Sequence, residues 1–312
     1  MKHLIVIFGL ILLGASGINA QTSAPTPPPR VVRSISNAEQ MNNRVSRDSD
    51  ARFRQMQDLG VPRRRTDSNG NVLSENIQSI YRKPDKEQTK ILAPARHLVE
   101  LYADFLRQSD TGIIKLNADT RCGNNPGVVV AASENCLQYK MPGAGTAFSF
   151  RVESYRIPRL ADLVLAKDVL KTDGILQHGI MVHLGDIPLE DITTETKGLK
   201  YLVDFKPVKT STEFLKIDNE LNSGVKADGF VYRLGFYVTD KATFALRSIA
   251  YKGNFFRSVD GVVYDEFDFD KRKDMLVVFR VVEKDAQGNI TILWKILSKQ
   301  NAPSLKIEKT AK

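Results

Sequence analysis

Cysteine is scarce: two residues in 312, Cys122 and Cys136, without the C-x-x-C spacing that tunes a redox-active or metal-binding thiol pair. Histidine is nearly as rare, with four residues and no H-E-x-x-H pattern. G-x-S-x-G does not occur either, so the commonest secreted zinc and serine hydrolases are set aside. The glycines at 143 and 145 are not followed by Gly-Lys-Ser/Thr, and the next residues read as a strand, so no phosphate cradle forms there. No stretch is apolar long enough to span a membrane, which takes about 20 residues. No internal repeat and no specific nucleic-acid motif is found.

What is present begins with residues 1–20, MKHLIVIFGLILLGASGINA. Lys2, the apolar core Leu4 to Leu13 and the small exit residue Ala20 read as a secretory signal. Cleavage after Ala20 starts the mature chain at Gln21, and no cysteine follows to carry a lipid anchor. Export to the periplasm or the extracellular space is the expectation. In that oxidising setting Cys122 and Cys136 are expected to form a disulfide, closing a loop of about 15 residues and adding about 3 kcal/mol of stability.

Lys and Arg number 45 against 36 Asp and Glu, a net charge of +9 that favours an acidic envelope or extracellular component as partner. The basic residues are mostly interleaved with acids, so charge alone selects no ligand. Residues 21–72 are poor in large apolar side chains and read as a disordered tether. A polar helix is placed over Ser36 to Leu59, and the tether carries the basic run Arg63-Arg64-Arg65. Residues 73–109 read as a helical element, with one helix between Asp85 and Gln108 that Pro94 starts or kinks. Leu92, Leu98, Tyr102 and Phe105 mark its apolar stripe.

From Thr111 the apolar period becomes two, and residues 110–300 read as an antiparallel β-domain, a sandwich or barrel, with a polar tail at 301–312. Strands are expected at 147–153, 175–184, 199–205, 229–238, 243–252, 262–270, 275–283 and 290–297. Asp240-Lys241 and Asp285 to Gly288 are read as hairpin turns. Both faces of Met275 to Val282 are apolar except for Arg280, which marks a central strand covered on both sides. The segments 160–170 and 210–221 fit more than one state.

Two stretches carry candidate chemistry. On a strand, Glu266, Asp268 and Asp270 fall on one face about 6.8 Å apart, a row suited to calcium or to acid and base roles with Asp265 in glycoside hydrolysis. Lys271, Arg272 and Lys273 stand beside the row and can neutralise it. Phe255, Phe256 and Arg257 form a candidate ligand loop, with one of the two aromatics expected in the core. His178 and His183, five apart on a strand, face opposite ways and cannot share a metal. Asn289-Ile290-Thr291 matches a glycosylation sequon. The reading that follows is an exported, non-enzymatic binding or interaction module with no required cofactor. A carboxylate-dependent secreted hydrolase and a structural envelope protein are the alternatives.

Overall fold

The computed structural model describes residues 81, 83–120, 142–259 and 262–308. The expected leader, the expected tether with its helix over 36–59 and Arg63 to Arg65, and the expected bridge between Cys122 and Cys136 lie outside the described residues.

The described chain is mainly β and antiparallel. Its strands are β1 (Thr111–Leu116), β2 (Ala147–Ser149), β3 (Ser154–Tyr155), β4 (Leu163–Ala166), β5 (Val169–Lys171), β6 (Gln177–Gly185) and β7 (Val225–Ala227). They continue as β8 (Phe230–Arg233), β9 (Gly235–Tyr237), β10 (Thr243–Ala250), β11 (Phe256–Val259), β12 (Val262–Asp265), β13 (Lys273–Lys284) and β14 (Ile290–Asn301). A seven-stranded sheet runs β1-β14-β13-β10-β6-β8-β7, a five-stranded sheet runs β3-β2-β4-β5-β9, and β11 pairs with β12.

The long strand β13 shows why two layers of cover form. Its odd residues Met275, Val277 and Phe279 pack with Phe148, Leu163 and Leu170 of the small sheet. Its even residues Leu276 and Val278 pack with Leu189, Leu202 and Leu221 on the other face. An alternation with two apolar faces is satisfied only when both are roofed, each buried Leu or Phe contributing about 1.5–3 kcal/mol. The turn after β13 is a true hairpin: Asp285 N–H donates to Asn289 O at 2.9 Å, and Gly288 takes the positive φ of 83° that the turn demands.

The described residues include five short or medium helices, α1 (Lys86–Ile91), α2 (Arg96–Leu101), α3 (Ala103–Leu106), α4 (Lys200–Asp204) and α5 (Ser211–Ser223), of which α3, α4 and α5 contribute Phe105, Leu202 and Leu221 to the second roof. The single helix expected over 85–108 is therefore corrected to three. Pro94 lacks the N–H that a continuous helix needs, and Tyr102 leaves helical geometry at ψ 18°. Leu92, Leu98 and Phe105 of that stripe are buried, whereas Leu101 is 69% exposed.

Residues 199–205 are helical rather than extended. Arg247, paired with Asp274, donates through Nη1 to Leu202 O (2.5 Å), Val203 O (3.2 Å) and Phe205 O (2.8 Å), satisfying carbonyls at the end of α4. The 210–221 segment is α5, begun by a capping box in which Glu213 N–H donates to Thr210 Oγ1 (3.3 Å) and Glu213 returns its carboxylate to the Thr210 N–H.

The stretch 229–238 changes sheet midway. Its first half, β8, pairs with β6; its second, β9, pairs with β5. At the crossing, a Cβ on Gly235 would lie 2.6 Å from Leu170 O, so only glycine fits against β5. Asp240-Lys241 consequently joins the two sheets rather than a hairpin, because β10 pairs with β6 and β13.

Candidate binding cleft

The acidic run leaves the strand path at its first carboxylate. Asp265 closes β12 and turns its side chain back on the chain, with Oδ1 accepting from Phe255 N–H (2.9 Å) and Phe267 N–H (3.0 Å). Asn254 donates its amide to Oδ2 of the same residue. A short acidic side chain that satisfies nearby backbone donors competes with the ladder, and Glu266–Phe269 follows as a 3-10 turn. The expected strand over 262–270 is corrected accordingly, and its carboxylates no longer share a face.

Glu266 turns inward. Arg159 holds it through Nε to Oε2 (2.7 Å) and Nη2 to Oε1 (2.5 Å), and Tyr81 donates its hydroxyl to Oε1 at 2.5 Å. Burial is the main reason the Tyr81 hydroxyl titrates far above its ordinary range, with the charge of Glu266 adding to it. Asp270 also turns inward, where Arg151 contacts both its oxygens at 3.1 Å and Arg272 contacts Oδ2 at 3.1 Å. Only Asp268 remains exposed. Among the described residues no group of three or more His, Cys, Asp or Glu is placed to hold a metal ion.

Behind the turn lies a buried ionic network. Arg151 reaches Asp162, Gln177 (2.8 Å) and the carbonyl of Leu160 (3.1 Å), with its side chain and that of Asp162 fully buried. Burial pulls the Arg151 basicity down, but the adjacent Asp162 and Asp270 carboxylates outweigh it and hold the guanidinium above its usual value. Arg272 is less well compensated. Burial, with Arg151 nearby, lowers it to about 10, against the opposing pull of Asp270 and Asp162. Its guanidinium lies 3.8 Å over the Phe267 ring and donates to the carbonyls of Tyr251, Ile175 (2.8 Å) and Leu176 (2.6 Å).

In front of Arg272 opens a cleft of about 450 Å³. Its walls are the loop after β10 (Lys252, Gly253, Asn254), the turn from Asp265 to Asp268, and the end of β14 at Asn301 and Ala302. Leu176, buried beneath, is held at φ 49°, a strained conformation for a branched apolar residue. A Cβ on Gly253 would come within 2.6 Å of the Leu176 side chain, which explains glycine at that point of the wall. The chain after β14 forms the last wall: Lys252 N–H donates to Pro303 O (2.8 Å), and Lys306 pairs with Thr210 at the start of α5.

Of the acidic residues singled out from sequence, Asp265 and Asp268 line this cleft, and Glu266 and Asp270 do not. Phe255 is the core member of its pair, 6.0 Å from Phe267. Phe256 sits opposite Asp265 in the β11–β12 ladder, and the exposed Arg257 lies 6.0 Å over the Phe255 ring. Lys252 and Asn254, just before that loop, line the cleft instead. Arg272 was legible only as a neutralising surface cation, because its neighbours Lys271 and Lys273 are of the same type. His178 stacks on Phe214 at 3.9 Å while His183 lies near Phe244, on opposite faces of β6. The sequon is part of the hairpin: Asn289 bonds Asp285 (2.9 Å) and Ala118 N–H (2.9 Å), and Thr291 is buried.

No family model, curated protein or solved structure matches this chain. The chemistry is therefore read from side chains. Glu266 and Asp270 are each committed to arginines, and the carboxylates that border the cleft are Asp265 and Asp268. What faces it is a set of hydrogen-bonding groups held by a rigid frame. A second cavity of about 610 Å³ lies at the other end of β14, beside Asn117, Lys167 and Asn289, whose two asparagines are already bonded, Asn117 to Ala144 O at 3.2 Å and Asn289 to Asp285 at 2.9 Å. Among the described residues no helix is long and apolar enough to cross a membrane.

Proposed function

We propose that this protein is an exported, non-enzymatic binding module of the cell envelope or extracellular space, and that the Lys252–Arg272 cleft is its recognition site. The observation that carries the reading is the commitment of Glu266 and Asp270 to buried ion pairs, which turns the acidic run from a reactive row into the frame of a polar cleft. The leader at residues 1–20 supports export, and the same setting favours a bridge between Cys122 and Cys136. The excess of 45 basic over 36 acidic residues supports an acidic envelope or extracellular component as a partner of the surface at large.

The test is expression of the full chain in an export-competent host. The reading expects an N-terminus at Gln21 and a mass that rises only on reduction; a retained Met1 with two free thiols overturns export. Thermal scans with calcium, heparin and anionic vesicles then follow binding, because a ligand at a hundred times its Kd adds about 2.7 kcal/mol to the folded state. Glycan hydrolysis by the purified protein, abolished by Asp268→Asn, overturns the non-enzymatic assignment in favour of the hydrolase.

A further inference from the structure

We infer that the cleft takes an uncharged, polyhydroxylated ligand, a saccharide unit rather than an anion; the inference rests on the cleft being the recognition site.

The charges that face the cleft cancel. Lys252 and Arg272 supply two positive groups, Asp265 and Asp268 two negative ones, all bordering the same space of about 450 Å³. An anion drawn to Lys252 and Arg272 also meets the two carboxylates, and a cation meets the converse, so the net +9 of the chain is not focused here. What remains is hydrogen bonding, and the groups offered are of the kind that hydroxyls satisfy.

Arg272 uses Nε on Tyr251 O, Nη2 on Ile175 O and Leu176 O, and one Nη1 hydrogen on Asp270. Its fifth N–H, the other hydrogen on Nη1, has no partner among the described residues, although the side chain is only 7% exposed. Asp265 is fixed by two backbone N–H groups on Oδ1 and the Asn254 amide on Oδ2, which leaves Oδ2 further lone-pair capacity. One immobilised donor and one immobilised acceptor bordering a single cleft match a hydroxyl, which accepts and donates at once.

Asn254 and Asn301 add amides at the rim. The frame is stiff: Arg272 is clamped against Phe267 and by carbonyls that include the one of strained Leu176, and Gly253 seats the loop directly on Leu176. Groups held in place before binding lose little freedom on binding, which matters for a ligand whose contacts are individually weak. A volume of about 450 Å³ admits one or two sugar rings.

The experiment uses the full exported chain on an array of neutral oligosaccharides built from glucose, galactose, xylose and N-acetylglucosamine, with heparin and polyphosphate as anionic probes. The expected result is binding of at least one neutral glycan, unchanged between about 50 and about 500 mM salt, because no ion pair is made. Asn254→Ala and Asn301→Ala, both at exposed positions, are expected to weaken that binding about tenfold each, with the thermal midpoint holding in Asn301→Ala and falling modestly in Asn254→Ala, which also loses the amide bond to Asp265. Lys167→Ala, in the other cavity, leaves it unchanged.

An array that captures no neutral glycan overturns the inference. Heparin binding that is lost with Asn254→Ala and Lys252→Ala keeps the cleft as the site but overturns the ligand class. Neutral-glycan binding indifferent to Asn254→Ala and Asn301→Ala overturns the cleft itself.

Discussion

Arg159 grips both carboxylate oxygens of Glu266, with Nε 2.7 Å from Oε2 and Nη2 2.5 Å from Oε1, while the carboxylate itself is fully buried. Removing one partner of such a pair leaves a desolvated charge. Glu266→Ala is expected to cost about 3–5 kcal/mol and Glu266→Gln, which keeps an acceptor for Tyr81, about 1–3 kcal/mol. Urea denaturation of the two variants checks the order.

The carboxylates of the acidic turn are expected to separate sharply by mutation. Asp270→Asn strips the shared partner from Arg151 and Arg272 and should destabilise by about 2–4 kcal/mol. Asp268→Asn, at an exposed position, should stay within about 0.5 kcal/mol of the parent. Equal effects would show that the inward and outward roles are misassigned.

Alkaline pH should loosen the fold from about pH 10 upward. Tyr81, Tyr155, Tyr201 and Tyr251 are all raised chiefly by burial, and Tyr232 is raised by burial to about 12. A tyrosine raised on folding contributes stability that is complete below its unfolded pKa near 10 and is lost as pH climbs to the folded value. Arg156 and Arg272, lowered mainly by burial, act in the opposite sense over the same range, but two groups oppose five. Tyrosinate absorbance near 295 nm, followed with far-ultraviolet circular dichroism, should rise in two stages, the second coincident with unfolding.

Gly253→Ala should damage the cleft more than the fold. The new Cβ meets a flexible Leu176 methyl at 2.6 Å, so repacking costs about 1–3 kcal/mol. Gly235→Ala meets the Leu170 carbonyl oxygen at the same 2.6 Å, where backbone cannot yield, and should cost at least as much. Calorimetric midpoints of both variants give the comparison.

The segment after β14 should be the least protected part of the β-domain. Lys306 N–H donates to Lys209 O (2.9 Å) and Ser211 N–H to Lys306 O (3.0 Å), a short parallel bridge at an exposed edge. Hydrogen exchange at these two amides is expected to proceed through local opening, faster than at Val277 or Ile292 in the core. Hydrogen bonds from Thr212, then the charge of Lys306 and a hydrogen bond from Thr210, hold the Glu308 carboxyl below its usual value, so this protection persists above pH 4.5 and falls as acid protonates it.

Local pattern determined a good deal. The two apolar faces of β13 required a sandwich with cover on both sides, and the Asp285 to Gly288 turn required a hairpin, because strand alternation and positive φ are properties of a few neighbouring residues. Pro94 placed a break, though not the second one at Tyr102.

Partners distant in sequence decided the rest. Residues 199–205 have apolar spacing that suits a strand, and the Arg247 guanidinium, more than forty residues away, makes them the end of a helix. The acidic run has the alternation of a strand face, yet the arginines at 151, 159 and 272 draw two of its carboxylates inward and leave the third outside. Periodicity describes which residues prefer burial. Whether a buried charge finds an opposite one depends on three-dimensional packing, and that packing turned a row of acids into the frame of a cleft.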